Sequence, residues 1–491
     1  MSHDAFDIVF HGEVIGSTHT LCRREEGGWA LTNWLELLEV KKLNQRGYRR
    51  RSNLLMDADF RPAYLSGSDD VGNSYKLNGA DMQGAEFAFE SNMIGQFAAL
   101  SRHQQPGSGF RGTAPFSLLC YLFDACRTLE LVFERDGAHW VSNINERFLF
   151  EDGVLQELQP AAVGVSFVRT DSPCPDWSIA EVATEAEYEF PPQLKVSPVQ
   201  FGSKDTEAVF VSPEAPYAEA LFIGGSGRFD MHGRHGNQHL GYGQLLDQLA
   251  LSGLASLRYD RLPQDPTVTP SFSELQSQAS EAWTSASSLS NGLPKLIVGH
   301  SLGALIALNI ASNDPSVDGL ILIAAPGRPL KDVLQSQFEW MVGDVGYSDG
   351  EIAEVEDRRN ALLDALFEPN PDAPLPDEFT LMEPAKTFLR ELIRIDPIEM
   401  LKGIKCPLVL ADCEYDVQVL AEDTVRLRDA ARSYGIDTEH LRLQHVNHIL
   451  QEVADREDNA IFHYFDPDRE ISTDAIEQIS IAAKKLVQKH M

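Results

Sequence analysis

The sequence predicts two domains: a mainly antiparallel β domain, followed by an α/β domain whose mostly parallel, doubly wound sheet carries a helical lid. Three observations lead to this prediction. The first part of the chain consists of short β-rich segments punctuated by glycines, and the second part alternates apolar runs with helical stretches. The length of 491 residues also exceeds what one hydrophobic core usually spans.

The composition is that of a folded protein in water. Hydrophobic residues make up 43% and charged residues 23% of the chain. The net charge of -33 argues against binding to nucleic acid and against stable docking to anionic lipid, because both are negatively charged. We therefore expect no nucleic acid and no membrane as partners, although the acidity does not identify the small-molecule substrate.

The start of the chain, MSHDAFDIVFHGEVIG, lacks the basic and apolar regions of a signal peptide. No apolar run approaches the roughly 20 residues that span a bilayer. The six cysteines show no C-x-x-C spacing, so neither a disulfide framework nor a zinc ribbon is indicated. These features predict a cytoplasmic protein with reduced thiols.

Residues 1–195 form the predicted β domain. Strands are expected at 6–10, 30–34, 129–133 and 139–142, and one helix near 115–128. Asp-Gly pairs at 136–137 and 152–153 are hairpin signals. Nothing in this region has catalytic spacing, so we expect a structural, dimerising or substrate-gating role, and a homo-oligomer would form through this domain.

Residues 196–216 are proline-rich and predict a linker into an α/β domain at 217–491. The apolar runs at 220–223, 255–259, 296–298, 320–323 and 408–410 suit buried parallel strands joined by crossover helices. A mostly helical, acidic segment at about 328–400 interrupts this rhythm and is expected to be a lid. Residues 472–490 predict a closing helix with basic residues near its end.

The strongest chemical signal is the G-x-S-x-G motif at 299–303, which directly follows the apolar run at 296–298. A strand that turns sharply into a helix at this motif exposes the serine as a nucleophile, and the tight turn requires small residues on both sides. The motif predicts Ser301 as the nucleophile. It also predicts the backbone N–H of Leu302 as one donor of an oxyanion hole.

A serine hydroxyl needs a base, and the base needs an acid partner, which in this strand–turn–helix context occur in the order Ser, acid, His. Asp416 follows a late strand, and His448 follows the next one. Asp412 and Glu414 are rival acids, but Asp412 lies nearer the strand end and Glu414 points to the other side by alternation. His445 is the rival base, and its position within or just after a strand favours a structural role.

The sequence around these residues resembles a bacterial α/β-hydrolase family related to the serine aminopeptidase and dienelactone-hydrolase groups. That family has its acid in G-E-x-D-x-Q-V and its base in L-N-H-L; Cys413 and Val446 depart from these patterns. The matching positions are Glu414, Asp416, Gln418, Val419, Asn447 and His448. The resemblance covers most of 217–490 and implies an α/β-hydrolase fold, fused here to an N-terminal β-rich domain.

The resemblance also implies the second oxyanion donor. The loop at 224–230 is similar to the family's P-G-S-G-P-x-D-R-D-G loop and puts Ser226 at the donor position, although Gly224 and Arg228 replace prolines. A plain glycine-rich turn is the alternative. The family's R-Y-D-x-R segment is matched at 258–261, where Asp260 is expected to tie loops together.

A histidine cluster near this loop raises the question of a metal. His232, His235 and His239 lie close in sequence, but the segment is glycine-rich and has no pattern of partnering carboxylates. We therefore predict no metal site.

Together these features predict a serine hydrolase that cleaves a carboxylic ester or thioester through an acyl-enzyme and needs no cofactor. Three alternatives stay open. The same triad serves an acyltransferase, and it serves a serine aminopeptidase if an acidic subsite, such as the acidic lid, receives the substrate amine. In the third, the triad is vestigial in a non-catalytic scaffold. The acyl and leaving groups depend on pocket shape, which fold class does not fix.

Overall fold

The computed structural model describes most of the chain. The residues it leaves undescribed are 1, 26, 39–46, 59–61, 70–73, 79–86, 91–115, 123–124, 132, 153, 161–163, 179–187, 203–204, 228, 236–237, 262–268, 290–291, 344–346, 455–468 and 491. The chain divides into two compact units. The first comprises Met1–Glu185, Gln264–Thr269 and Val342–Lys386, and the second comprises Ala186–Pro263, Pro270–Met341 and Thr387–Met491.

The first unit is built mainly from antiparallel strands, with a parallel pair between Phe87–Glu90 and Phe116–Leu122, which confirms the predicted, mainly antiparallel β domain. Its largest sheet has the order β10-β11-β12-β13-β14-β1-β2-β3-β4-β5-β6 among the described residues, and a smaller sheet has the order β7-β8-β9. The strands are β1 (Ser2–Phe10), β2 (Glu13–Glu25), β3 (Gly28–Leu37), β4 (Tyr48–Asp57), β5 (Pro62–Asp69), β6 (Ser74–Asn78), β7 (Phe87–Glu90), β8 (Phe116–Leu122), β9 (Ala125–Leu131), β10 (Phe133–Asp136), β11 (His139–Ser142), β12 (Arg147–Glu151), β13 (Val154–Gln159) and β14 (Val165–Thr170).

One prediction for this unit is wrong. The helix expected near 115–128 is replaced by β8 and β9, which pair in antiparallel register from Phe116 opposite Leu131 to Leu122 opposite Ala125. The segment FSLLCYL contains the aromatic residues that favour strands. Pairing between neighbouring strands is a tertiary contact, and it outweighs the local pattern that suggested a helix.

The first unit also contains part of the segment predicted as a lid. The helix Asp349–Phe367 begins with a capping box, in which Ser348 and Glu351 exchange hydrogen bonds between side chain and backbone. Oε1 of Glu351 also lies 2.8 Å from Nε2 of His11. Tyr347 packs edge-on against Phe10, so this end of the helix is held by the end of β1.

In the part of the chain that the structure describes, the second unit contains an eight-stranded sheet of order β15-β16-β20-β17-β21-β22-β23-β24. β15, β16 and β20 pair antiparallel, and the pairs from β20 through β17 to β24 are parallel. Its strands, with a separate short hairpin formed by β18 and β19, are β15 (Lys195–Phe201), β16 (Thr206–Ser212), β17 (Ala218–Ile223), β18 (Arg234–His235), β19 (Gln238–His239), β20 (Leu254–Tyr259), β21 (Lys295–His300), β22 (Gly319–Ile323), β23 (Leu408–Cys413) and β24 (Thr438–Leu443).

The helices among the described residues are α1 (Tyr242–Leu251), α2 (Phe272–Leu289), α3 (Leu302–Asn313), α4 (Leu330–Gly343), α5 (Asp349–Phe367), α6 (Lys386–Leu392), α7 (Pro397–Leu401), α8 (Ala421–Ser433) and α9 (Thr473–His490), with a 3-10 helix at Asp377–Ala385. No helix among the described residues is long and apolar enough to cross a membrane.

Helices cover both faces of the second sheet. Leu221 and Ile223 of β17 belong to an apolar cluster that includes residues of α2, α3 and α8. Ala220 and Phe222, which alternate with them, belong to a second cluster that includes residues of α1 and α9. Alternate side chains of a strand point to opposite faces, so the sheet is doubly wound as predicted.

The structure differs from the sequence-based boundaries at 196–216. The stretch expected to be a linker forms β15 and β16, the first two strands of the second sheet. Its prolines are compatible with this position, since Pro198 lies on the edge strand β15, where a missing N–H is tolerated.

Gly303 controls how closely α3 packs on the sheet. A Cβ atom at this position would lie 2.1 Å from the carbonyl oxygen of Ile223 and 2.5 Å from that of Gly224. The helix therefore touches backbone at the end of β17, and no side chain fits between them. This contact fixes the start of α3 beside the loop that follows β17.

We predict that Gly303→Ala destabilises the protein by about 3 kcal/mol, because the new methyl group forces rigid backbone apart. Gly350→Ala is the control: no atom lies within 4 Å of a Cβ at Gly350, and alanine favours a helix. Calorimetric unfolding of both variants measures the effect. Equal stability of the two variants would contradict the close packing.

Candidate active site

Ser301 occupies a sharp turn between β21 and α3. Its backbone has φ 52 and ψ -120, a conformation that residues with a Cβ rarely adopt. The turn is held by a hydrogen bond of 2.9 Å from the Ser301 N–H to the carbonyl oxygen of Ile323 at the end of β22. Ser301 is 9% exposed. The strained, anchored turn is the geometry expected of a nucleophile elbow.

Asp416 and His448 meet in the loops after β23 and β24. Nδ1 of His448 lies 2.7 Å from Oδ2 of Asp416, and both side chains are buried. Oδ1 of Asp416 accepts the backbone N–H groups of Gln418 at 2.8 Å and Val419 at 2.9 Å. Both carboxylate oxygens are thus occupied, and the Asp416 carboxylate is held in one orientation.

The alternative candidates for the acid and the base, Asp412, Glu414 and His445, have other surroundings. Asp412 pairs with His440 and Arg442 of the neighbouring strand β24. Glu414 accepts the backbone N–H of His445 at 2.8 Å. The His445 side chain is 71% exposed, in contrast to the 5% of His448.

The loop after β17 lies directly beside Ser301. A Cβ atom at Gly225 would be 3.3 Å from Cβ of Ser301 and 2.9 Å from Nδ1 of His300, so only glycine permits this approach. Ser226 follows in the same loop and is exposed. Leu302, which follows Ser301, is the first residue of α3.

Asp260 and Arg261, which follow β20, hold this loop in place through hydrogen bonds. Oδ1 of Asp260 accepts the Met231 N–H at 2.8 Å, as expected of a residue that ties loops together. Arg261 donates to the carbonyl oxygens of Gly224 and Gly227, each at 2.9 Å. Sequence reasoning did not single out Arg261, although the second arginine of the segment at 258–261 is the signal that could have found it.

His300 is enclosed between the two sides of the site. Its Nδ1 lies 2.9 Å from the hydroxyl of Tyr242, and its Nε2 lies 2.8 Å from the carbonyl oxygen of His448. The Tyr242 hydroxyl also accepts the Gly225 N–H at 2.9 Å. Burial, with the nearby His448 as a smaller cause, lowers the pKa of His300 to about 3, so the ring is neutral at physiological pH.

The histidines near the loop have other surroundings. His232 stacks on Tyr188 with ring centroids 3.8 Å apart, and burial lowers its pKa to about 4. The side chain of His235 lies outside the described residues. In the part of the chain that the structure describes, no group of three His, Cys, Asp or Glu side chains is arranged to hold a metal ion.

The low pKa of His300 predicts a pH-dependent stability. Its ordinary pKa of 6.5 applies to the unfolded chain, so between about pH 6 and pH 3 unfolding takes up a proton that the folded state refuses. The free energy of unfolding therefore decreases as the pH is lowered over this range. His300 contributes about 1.4 kcal/mol of this loss per pH unit.

Urea unfolding of wild type and His300→Gln between pH 7 and pH 4 measures this contribution. On unfolding, His300→Gln should take up about one proton fewer than wild type. Its free energy of unfolding should therefore depend less steeply on pH. His445→Gln is the control, because it makes the same substitution at an exposed side chain. Identical slopes for wild type and His300→Gln would contradict a neutral buried ring.

Comparison with known proteins finds a family model and a relative that are similar to part of the chain. Residues 231–346 match the family model described as serine aminopeptidase, S33. The esterase EstD of Thermotoga maritima is 29% identical over 252 residues, which are 49% of this chain and 58% of the esterase. The chain thus spans less than two thirds of the length of this relative.

Solved structures similar to the chain include two esterases and a dienelactone hydrolase. The esterase domain of a Rhodothermus marinus protein has a TM-score of 0.33 at 20% identity and covers 55% of this chain and 95% of its own. The dienelactone hydrolase of Anabaena variabilis has a TM-score of 0.36 at 13% identity, and the match covers 61% of this chain and 99% of the dienelactone hydrolase. A thermostable esterase of Pseudomonas putida has a TM-score of 0.39 at 14% identity, and the match covers 61% of this chain and 84% of that esterase.

The strand order of the second unit, the serine turn between β21 and α3 and the matched family model lead to one conclusion. The second unit has the α/β-hydrolase fold and is similar to the α/β-hydrolase family, and a β-rich region precedes it in the sequence.

Proposed function

We propose that this protein is a serine hydrolase that cleaves a carboxylic ester or thioester of a small molecule. Ser301 is the nucleophile, His448 the general base and Asp416 its orienting acid. The observation that carries the proposal is the buried hydrogen bond of 2.7 Å between Asp416 and His448. The strained backbone of Ser301 and the similarity to an esterase support it further.

The orientation of His448 follows from its partner. An ionised carboxylate only accepts hydrogen bonds, so Nδ1 of His448 carries the proton and Nε2 has a free lone pair. A base with this tautomer removes the Ser301 hydroxyl proton as the oxygen attacks the substrate carbonyl. The Asp416 carboxylate then stabilises the imidazolium that forms.

The oxyanion of the tetrahedral intermediate accepts the backbone N–H groups of Leu302 and Ser226 in this proposal. The closeness of Gly225 to Ser301 supports the assignment, because it brings the Ser226 loop to the nucleophile. When the intermediate collapses, the leaving alcohol or thiol takes the proton from His448. Water then attacks the acyl-enzyme with His448 as base, which releases the acid and restores Ser301.

A peptide substrate is the second candidate, because the matching family model is described as a serine aminopeptidase. Assay of p-nitrophenyl esters against p-nitroanilides of single amino acids separates the two. We expect turnover of the esters, and turnover of the anilides alone would replace the ester proposal by an aminopeptidase.

Ser301→Ala should abolish labelling by a fluorophosphonate probe and lower ester turnover by about 10⁴-fold or more, because the attacking oxygen is gone. His448→Gln should have a similar effect on turnover. His445→Gln, which changes the exposed rival, should retain both activities. Labelling of Ser301→Ala at the wild-type rate would exclude Ser301 as the nucleophile.

Asp416→Asn should lower kcat by about 10³- to 10⁴-fold, because an amide that donates a hydrogen bond favours the wrong tautomer of His448. Glu414→Gln is the matched control two residues away and should change kcat by no more than about twofold. Steady-state kinetics on a short-chain p-nitrophenyl ester measures both. If Glu414→Gln proves the more damaging change, the acid has been wrongly assigned.

A further inference from the structure

We propose that Tyr242 and His300 form a positioning chain that fixes the oxyanion loop relative to the loop of the catalytic base. The inference rests on the proposed function and deepens it, since neither side chain belongs to the proposed triad or to the proposed oxyanion donors. Three consecutive hydrogen bonds carry it, running from the Gly225 N–H through Tyr242 and His300 to the carbonyl oxygen of His448.

The chemistry of the two ends fixes every proton in this chain. The His448 carbonyl only accepts, so Nε2 of His300 carries the ring proton and donates to it. The buried, neutral ring then has a lone pair on Nδ1, which accepts the Tyr242 hydroxyl proton. The Tyr242 oxygen in turn accepts the Gly225 N–H. All three bonds therefore point the same way along the chain.

The chain acts on both halves of the proposed site. Gly225 precedes the proposed donor Ser226, so a hydrogen bond to the Gly225 N–H holds the peptide group immediately before the one that carries the Ser226 N–H. At the other end, the bond to the His448 carbonyl fixes the backbone of the residue whose imidazole takes the proton. A small displacement of a catalytic group costs much of its effect on rate, so both bonds contribute to preorganisation.

The surroundings make the chain rigid. Tyr242 and His300 are 6% and 3% exposed, so water does not compete for their hydrogen bonds. The Tyr242 ring also packs edge-on against Phe222 with centroids 4.9 Å apart. Arg261 donates to the Gly224 carbonyl oxygen, so Arg261 and Tyr242 hold the two polar groups of one peptide, and Arg261 also donates to the Gly227 carbonyl oxygen.

The test is Tyr242→Phe, which removes only the hydroxyl. We expect kcat for a p-nitrophenyl ester to fall by about 10- to 100-fold while KM changes little, since the loss is felt in the transition state. Affinity for a trifluoromethyl ketone, which forms an oxyanion on Ser301, should fall by the same factor as kcat/KM. A merely structural hydroxyl would not move these two quantities together.

Tyr259→Phe is the matched control. Tyr259 is also 6% exposed, and its hydroxyl has no hydrogen-bond partner among the described residues. Burial raises the pKa of both tyrosines to about 12, so they differ in hydrogen bonding and not in ionisation. Loss of this hydroxyl should leave kcat and ketone affinity unchanged.

Two changes at His300 separate the ends of the chain. His300→Gln keeps a donor at the position of Nε2 for the His448 carbonyl and loses the acceptor for the Tyr242 hydroxyl. His300→Asn keeps an acceptor for the Tyr242 hydroxyl and loses the donor to the His448 carbonyl. Tyr242→Phe should therefore lower kcat strongly in the wild-type and His300→Asn backgrounds, and by less than about twofold in the His300→Gln background.

The outcomes are distinguishable from those of the proposed function. A wild type that neither labels with fluorophosphonate nor hydrolyses any ester overturns the proposed function and the positioning role with it. An active wild type whose Tyr242→Phe variant keeps full kcat and ketone affinity overturns the positioning chain alone. Equal effects of Tyr242→Phe in the wild-type and His300→Gln backgrounds would likewise overturn only the positioning chain.

Discussion

The close approach of α3 to the end of β17 is the constraint on which the proposed site depends. Gly303 lets the helix contact the backbone of Ile223 and Gly224, and Gly225 lets the following loop reach Ser301. A side chain at either glycine would push the nucleophile away from the loop that faces it. Ser301 therefore keeps an unfavourable backbone conformation because the sheet, the helix and the hydrogen bond to Ile323 leave it no alternative.

The proposed catalytic groups lie in loops that follow parallel strands. Ser301, Asp416 and His448 come directly after β21, β23 and β24, whose carboxyl ends lie at one edge of the sheet. Loops are mobile unless they are tied down, and here hydrogen bonds do this. Asp416 is held by two backbone N–H groups, Gly224 and Gly227 by Arg261, and Gly225 by Tyr242.

The first unit has a different construction. Its antiparallel sheet buries large side chains such as Phe6, Leu54 and Phe148. It also includes α5, which the sequence pattern suggested as part of a lid on the α/β domain. The contact of Glu351 with His11 and the packing of Tyr347 on Phe10 explain why this helix groups with the β-rich unit. Such contacts join residues more than 300 positions apart, so no local pattern in the sequence announces them.

The sequence by itself determined the fold class, because strand and helix periodicities are local, and it singled out Ser301, Asp416 and His448, because their motifs are short and ordered along the chain. Only the tertiary structure decided that 196–216 pairs as β15 and β16, and that β8 and β9 replace a helix. It also brought Tyr242, Arg261 and His300 to the loop after β17. Strand pairing and buried hydrogen bonds between distant loops depend on which segments become neighbours, and neighbours in space are set by the packing of the whole domain.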